Sequence, residues 1–385
     1  MMSSARVLFV DHTGQIGGAE LILLDVVAGR QNSSAFLFED GPLSAALAGR
    51  GLKLIISQHG RGLSRFRRDS SALAALPLLG RLAAIVVEIA KAARGHDLVY
   101  ANSQKAFVLA ALASVVARRP LIWHLHDIIS PAHFGAAQRR MQVLLANRCA
   151  LKVIVPSDAA AAAFIAAGGR RSLVEVVPNG LALQREQTLR CDLRQALGLP
   201  EGPLVGVFSR LAPWKGQHVL LEALAALPGV GCIVVGDALF GEQDYAAQLQ
   251  QMVAELGLAG RVYFLGHRSD VPKLMQAVDA MVHPSIDPEP FGRTLVEAML
   301  SGVPVIATDA GAAPDILERG RAGTLIPPAN PRALAAAIAA VLARPDQLAT
   351  QLEYAAQRAR AEYSLARMCE AIGLLIAKAQ AGAAA

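Results

Sequence analysis

Residues 284–297 read PSIDPEPFGRTLVE, which sets two carboxylates, Glu289 and Glu297, on either side of a Phe-Gly pair. Pro290 disfavours helix at the residue before it and so places Glu289 in a loop, while Gly292 permits a sharp backbone turn. The pattern predicts a helix from Arg293 or Thr294 to Ser301-Gly302, ahead of Pro304, with Glu297 in its first turn. Free amides at a helix start attract anions such as phosphate. Carboxylates beside such a site oppose anion binding unless they accept hydrogen bonds from hydroxyl groups. Two acidic acceptors around an anion-binding helix start suit a nucleotide sugar, one for a hexose and one for a ribose. The simpler alternative is that both only complement the helix dipole.

A second motif, GVFSRLAPWKG, ends a strand and places Arg210 five positions before Lys215, with Pro213 and Trp214 between them. Two cations there can neutralise a diphosphate without a metal, or can be solvated loop charges. Near the start, HTGQIGGAE puts Gly14, Gly17 and Gly18 between a strand and a helix. The spacing is not the dinucleotide fingerprint, but the turn lets backbone amides approach a phosphate. WHLHD places His124, His126 and Asp127 at a strand end. Alternate strand positions share a face, yet no third ligand has metal-site spacing, so no metal is expected and His126 reads as a neighbour of a sugar hydroxyl or phosphate. Asn102, Ser103, Gln104 and Lys105 form a hydrogen-bonding cluster in a strand-to-helix loop, where Asn102 or Ser103 could equally cap the helix.

These motifs sit on repeated strand–helix units. RVLFVDH, SAFLFED, LKLIIS, HDLVYAN, PLIWHLHD, LKVIVPS and VEVVPNG read as strands, with helical stretches after most of them, including Ser71 to Arg94. The pattern loosens over 181–200. A second series follows, from PLVGVFSR through VGCIVVGD, RVYFLGH, DAMVHPS and PVIATD to AGTLIPP, closed by a helical tail from about Pro331 to Ala379. The expectation is an α/β chain with two Rossmann-like, doubly wound parallel-sheet domains. The first spans 1–183 plus a returning helix at about 363–385, and the second spans 184–362. Ligands are expected in the crevice at the carboxyl ends of the strands, and the closing AQAGAAA is expected to fray.

Length and composition agree. The 385 residues suffice for two domains, and 54% are hydrophobic while only 5% are aromatic. Cys149, Cys191, Cys232 and Cys369 have no metal or redox spacing and read as free thiols of a reducing cytoplasm. The start, MMSSARVLFVDHTG, reads as a strand rather than a signal peptide. The apolar stretch from Leu76 is broken by Arg81 and Glu88, short of the ~18 residues a spanning helix needs. The net charge of +6 is uneven, with 20 basic against 11 acidic residues in 1–183 and 17 against 20 in the remainder. Such a basic half implies an anionic partner. Nucleic acid is not expected, because there is no zinc-finger spacing, aromatic-interleaved ribbon or long basic helix.

Together the segments GGAE, SRLAPWKG, VVGD, VYFLGH, EPFGRTLVEAM and SGVPVIATDAG resemble the family 4 retaining glycosyltransferases of the GT-B fold, in order and spacing, over nearly the whole chain. The resemblance implies that Arg210 and Lys215 hold a donor diphosphate, Glu297 the ribose, and Glu289 the hexose. It gives the backbone of Phe291, Gly292 and Arg293, with Thr294, to the sugar and phosphate. Gly17 and Gly18 are implied to close over the diphosphate, His126 to sit near the donor sugar, and Gly266, His267 and Arg268 to lie against the base, uridine or guanosine. It implies front-face attack with retention of configuration, no cofactor and no metal. One departure is AGAAPDIL, where the family often has Gly-Gly then Glu; Ala312 and Asp315 alter the wall beside the sugar.

For the acceptor, Arg61, Arg65, Arg67 and Arg68 precede an amphipathic stretch, a pairing that can rest on an anionic membrane or be a solvated basic loop. With the resemblance, it implies a lipid-linked saccharide acceptor at the cytoplasmic face of the inner membrane, met by Asn102, Ser103, Lys105 and His126, in exopolysaccharide or lipopolysaccharide assembly. The alternatives are a soluble small-molecule acceptor and a non-catalytic sugar-nucleotide-binding scaffold.

Overall fold

The computed structural model describes residues 5–62, 76–132, 134–182, 189–238 and 241–384. Its contacts divide the chain into two compact units, Met1–Gly180 with Leu365–Ala385, and Leu181–Ser364.

In the first unit the elements run β1 (Val7–Asp11), α1 (Gly18–Val26), β2 (Ser34–Leu37), α2 (Pro42–Gly49), β3 (Lys53–Ile56), α3 (Leu76–Ala93), β4 (Leu98–Ala101), α4 (Gln104–Ala117), β5 (Leu121–His124), α5 (Ala136–Cys149), β6 (Ala150–Val155), α6 (Asp158–Ala166) and β7 (Val174–Val176). The strands form one parallel sheet in the order β3-β2-β1-β4-β5-β6-β7. Successive strand residues point to opposite faces. Leu8 and Val10 therefore join the core under α3, α4 and α5, where Phe107 stacks on Trp123 at 3.9 Å. Val7 and Phe9 join the core under α1 and α2.

The second unit runs α7 (Arg190–Leu197), β8 (Leu204–Phe208), α8 (Gln217–Ala225), β9 (Gly231–Val235), α9 (Gln243–Glu255), β10 (Val262–Gly266), α10 (Val271–Ala277), β11 (Ala280–His283), α11 (Arg293–Ser301), β12 (Val305–Thr308), α12 (Ala313–Ile316), β13 (Thr324–Ile326), α13 (Pro331–Ala343) and α14 (Ala349–Glu362). Its parallel sheet has the order β10-β9-β8-β11-β12-β13. The final helix, α15 (Leu365–Ala384), returns to the first unit, where Met368, Ile372, Ile376 and Ala379 pack beside α1.

Each sheet has one point where the strand order reverses, between β1 and β4 and between β8 and β11, the places where open α/β sheets bind ligands.

The structure departs from the sequence expectations in three places. The stretch PLSAALAG forms α2, a helix hidden from a periodicity reading because it is short and has no polar face. In the tail, where the domain division was read at about residue 363, α14 packs on α11 within the second unit and α15 belongs to the first. The closing residues are helical to Ala384 rather than frayed, and Gln380 Nε2 donates to Asp97 Oδ2 at 3.3 Å. Glu297 lies at the fifth position of α11, one turn beyond the helix start. The predicted basic cluster at Arg65, Arg67 and Arg68 lies outside the described residues, as does the start of the helix read from Ser71.

Candidate active site

In the second unit, the chain after β8 carries Arg210 and Lys215, and the chain after β11 carries Glu289. Lys215 Nζ forms an ion pair with Glu289 Oε1 in a largely buried setting. Ser285 Oγ donates to the same oxygen at 2.6 Å. His283 Nε2 approaches it to 3.0 Å but lies off the line of a hydrogen bond. Burial pushes the Glu289 carboxyl up, but Lys215 and His283 outweigh it and hold the pKa well below the ordinary range. Oε1 is thus anchored and the group ionised, while Oε2 has no hydrogen-bond partner among the described residues.

Glycines allow this close packing. Gly216 has φ +71°, and a Cβ there would lie 2.0 Å from Pro284 O. Gly311 has φ +62°, and a Cβ would lie 2.3 Å from Glu289 N. Gly311 precedes Ala312, the residue of the AGAAPDIL departure, and Ala312 N donates to Glu289 O at 3.0 Å. That segment therefore forms the backing of Glu289. Gly216→Ala is expected to destabilise the second unit by at least about 1–3 kcal/mol in chemical denaturation, through backbone strain at positive φ together with the clash of its Cβ against Pro284 O; an unchanged midpoint would contradict the packing described.

Trp214 lies between the two cations, with Lys215 Nζ 4.3 Å and Arg210 Cζ 5.5 Å from its ring centre. Arg210 also pairs with Glu242 at 3.3 Å. On α11, Arg293 Nε donates to Glu297 Oε1 at 2.9 Å. Burial pushes the Glu297 carboxyl up, more than Arg293 pulls it down. Gly292 adopts φ +80° at the helix start, and the Phe291 side chain enters the core, 5.7 Å from Tyr363 and near edge-on. Phe291 can therefore offer a ligand only its backbone, while Thr294 follows in the first turn of α11. Gly266 ends β10 at φ +62°, His267 is exposed, and Arg268 pairs with Asp270 at 2.6 Å.

In the first unit, the loops after β1, β4 and β5 bring together Asp11, His12, Asn102, Ser103 and His126. Asn102 Nδ2 donates to Asp11 Oδ2 at 2.7 Å and to Ala19 O at 3.3 Å, and Asn102 Oδ1 lies 3.0 Å from His126 Nε2. Asn102 is fully buried, so the acceptor contact expected of it has no side-chain group to use. Ser103 caps α4 through Ala106 N and also meets His12 Nδ1 at 2.8 Å. Lys105 is exposed on the first turn of α4. His124 Nδ1 is 2.6 Å from Tyr100 Oη, and its ring lies against His126. Burial, partly offset by Asp11, pushes His126 down to about 4.

Gly17 and Gly18 are exposed at the start of α1, and Gly17 N donates to Glu20 Oε2 at 2.8 Å. Burial and Asp11 push the Glu20 carboxyl up from 4.5 to about 7. The folded protein therefore holds this proton more tightly than the unfolded chain does. The resulting stabilisation is complete below about pH 4.5 and is lost as pH rises through 7. Glu20→Gln is expected to remove a loss of at most roughly 3 kcal/mol across that window, measured by denaturant unfolding at several pH values; parallel profiles for both proteins would refute the assignment.

Sequence reasoning did not single out Asp11, His12, Glu20, Gly216, Glu242, His283, Ser285 or Gly311. The available signal was position, because Asp11 and His283 end the strands that flank the two switch points.

Residues 190–359 match the family model described as glycosyl transferases group 1, and residues 25–180 match that of a glycosyl transferase 4-like domain. Anabaena Alr3699/HepE, solved in complex with UDP and glucose, is 42% identical, with 97% of this chain and 99% of that chain covered and a TM-score of 0.87. The chain belongs to the family 4-like glycosyltransferases. Two doubly wound parallel sheets with a returning last helix are the GT-B architecture expected from sequence. This glycosyltransferase is also 36% identical over 170 residues to the lipopolysaccharide core biosynthesis mannosyltransferase LpsB of Rhizobium meliloti (strain 1021), covering 41% of this chain and 48% of the relative. It is 39% identical over 140 residues to the D-inositol 3-phosphate glycosyltransferase of Mycobacterium marinum (strain ATCC BAA-535 / M), covering 36% and 30% respectively. The glycosyltransferase thus spans about half or less of the length of these curated relatives. Among its described residues, no helix is long and apolar enough to cross a membrane.

Proposed function

We propose that this glycosyltransferase moves a hexose from a uridine-diphosphate sugar, with retention of configuration, to a saccharide acceptor in bacterial surface-polysaccharide assembly. The observation that carries the reading is the 42% identity, over 97% of the chain, to a protein solved with UDP and glucose and also with UDP-glucose. The buried Lys215–Glu289 pair at the β8/β11 switch point supports it.

In this reading Arg210 and Lys215 stabilise the charge that develops on the leaving diphosphate, which is electrostatic rather than covalent catalysis. A metal is not part of the scheme. Glu289 Oε1 stays on its protein partners, and Oε2 accepts a hexose hydroxyl. Glu297 takes the ribose, Gly17 and Gly18 the diphosphate, and the Gly266–Arg268 loop the base. The leaving oxygen takes the acceptor's proton as the new bond forms on the same face.

UDP-glucose carries an α linkage, so slow hydrolysis without acceptor is expected to release α-glucose first, as read by proton NMR before mutarotation. Release of β-glucose first would overturn retention.

We assign the acceptor to the lipid-linked class at the cytoplasmic membrane face. The lipopolysaccharide mannosyltransferase relative supports this, as do the basic first half and the exposed Leu79 and Val87 on α3. The inositol-phosphate relative favours the second reading, a soluble acceptor. Sedimentation with anionic vesicles that is lost in Arg65/Arg67/Arg68→Ser supports the first, and no sedimentation of either protein supports the second.

A further inference from the structure

The buried amide of Asn102 has a fixed orientation. One side faces Asp11 Oδ2 at 2.7 Å and Ala19 O at 3.3 Å. A backbone carbonyl can only accept, and the Asp11 carboxylate already accepts from His12 N at 2.6 Å through its other oxygen. That side of Asn102 must therefore be the NH₂ group, and the atom 3.0 Å from His126 Nε2 must be the carbonyl oxygen. An oxygen acceptor there requires His126 to carry its proton on Nε2. Nδ1 of the neutral ring is then a lone pair, and it has no partner among the described residues. The titratable groups acting on the ring are Asp11 and His124.

We infer that Asp11 and Asn102 are positioning residues that lock His126 as the Nε2–H tautomer, so that its Nδ1 can only accept a hydrogen bond from a substrate hydroxyl. Burial keeps the ring neutral at neutral pH, so, held as this tautomer, it offers a phosphate neither a proton from Nδ1 nor a positive charge. The ligand class at this position is a neutral hydroxyl. The inference rests on the proposed role of His126 beside the substrate, but the tautomer itself can be read on the ligand-free protein.

The experiment is a long-range proton–nitrogen correlation spectrum of the full chain labelled with ¹⁵N-histidine, with His126→Gln used to assign the signal. The expected result is one neutral Nε2–H tautomer for His126 throughout pH 6–8. In Asn102→Ala the single tautomer is expected to give way to a mixture. Turnover of UDP-glucose is then expected to fall on the order of tenfold, the lower end of what loss of the orienting partner costs a metal-bound histidine, with UDP affinity unchanged. Should that variant not fold, the pair His126→Asn and His126→Gln decides. Asparagine places its amide oxygen at the position of Nδ1 and is expected to keep more activity than glutamine, which reaches only the position of Nε2. A proton on Nδ1, an imidazolium above pH 6, unchanged tautomer and turnover in Asn102→Ala, or a more active glutamine variant would each overturn the inference. If the protein neither binds UDP nor transfers a sugar, the functional reading fails while the tautomer result still stands.

Discussion

Lys215→Ala is expected to lower turnover of UDP-glucose by roughly 10³-fold, the upper end for loss of one preorganised group facing transition-state charge. The same substitution is expected to cost about 3–5 kcal/mol of stability in the second unit, because it leaves a buried carboxylate without its counter-ion. Lys215 and Glu289 are both largely buried, and Ser285 and His283 alone do not replace the lost charge. The two effects can be separated. Lys215→Met combined with Glu289→Gln removes the orphaned charge, so stability should recover while turnover does not. Recovery of turnover in the double variant would show that Lys215 acts only as a structural partner. Turnover assays alongside denaturant unfolding read both.

Glu297→Ala is expected to act in the opposite sense. Loss of a charged hydrogen bond to a ligand is worth about 1.5–3 kcal/mol, so UDP affinity should fall by roughly tenfold to a hundredfold in calorimetry. Stability should hold or rise, because burial opposes the charge of this carboxylate more than Arg293 supports it. A folded variant with unchanged UDP affinity would remove Glu297 from the donor site. The contrast tests the geometry, since Glu289 is held ionised by its protein partners and Glu297 is held at a cost.

Much of this was legible from the chain alone. Alternating apolar strands and helices, with turns between them, place both sheets because each strand buried on two faces reads as a continuous apolar run. The motifs at Arg210, Lys215, Glu289 and Glu297 stand out because prolines and glycines fix where the chain must turn. What pairs with what was not legible. The partners of Glu289 come from Lys215, 74 positions away, and from His283 and Ser285, whose side chains carry no spacing signal. Asn102 read as a ligand contact because loop amides often are. Burial decides otherwise, and the Asn102 amide is spent on Asp11, 91 positions earlier in the chain. The helix start at Arg293 was legible, but Glu297, its fifth residue, falls just past the first turn of 3.6 residues.

In the proposed function the second unit carries a uridine-diphosphate site built on Arg210, Lys215 and Glu297. Isothermal titration of the intact protein with UDP and with GDP tests it most directly. Saturable one-to-one binding of UDP is expected, at least about tenfold tighter than GDP, a difference of ~1.4 kcal/mol, and weakened in Glu297→Ala. Absence of UDP binding, or equal affinity for both nucleotides with no effect of Glu297→Ala, would contradict it.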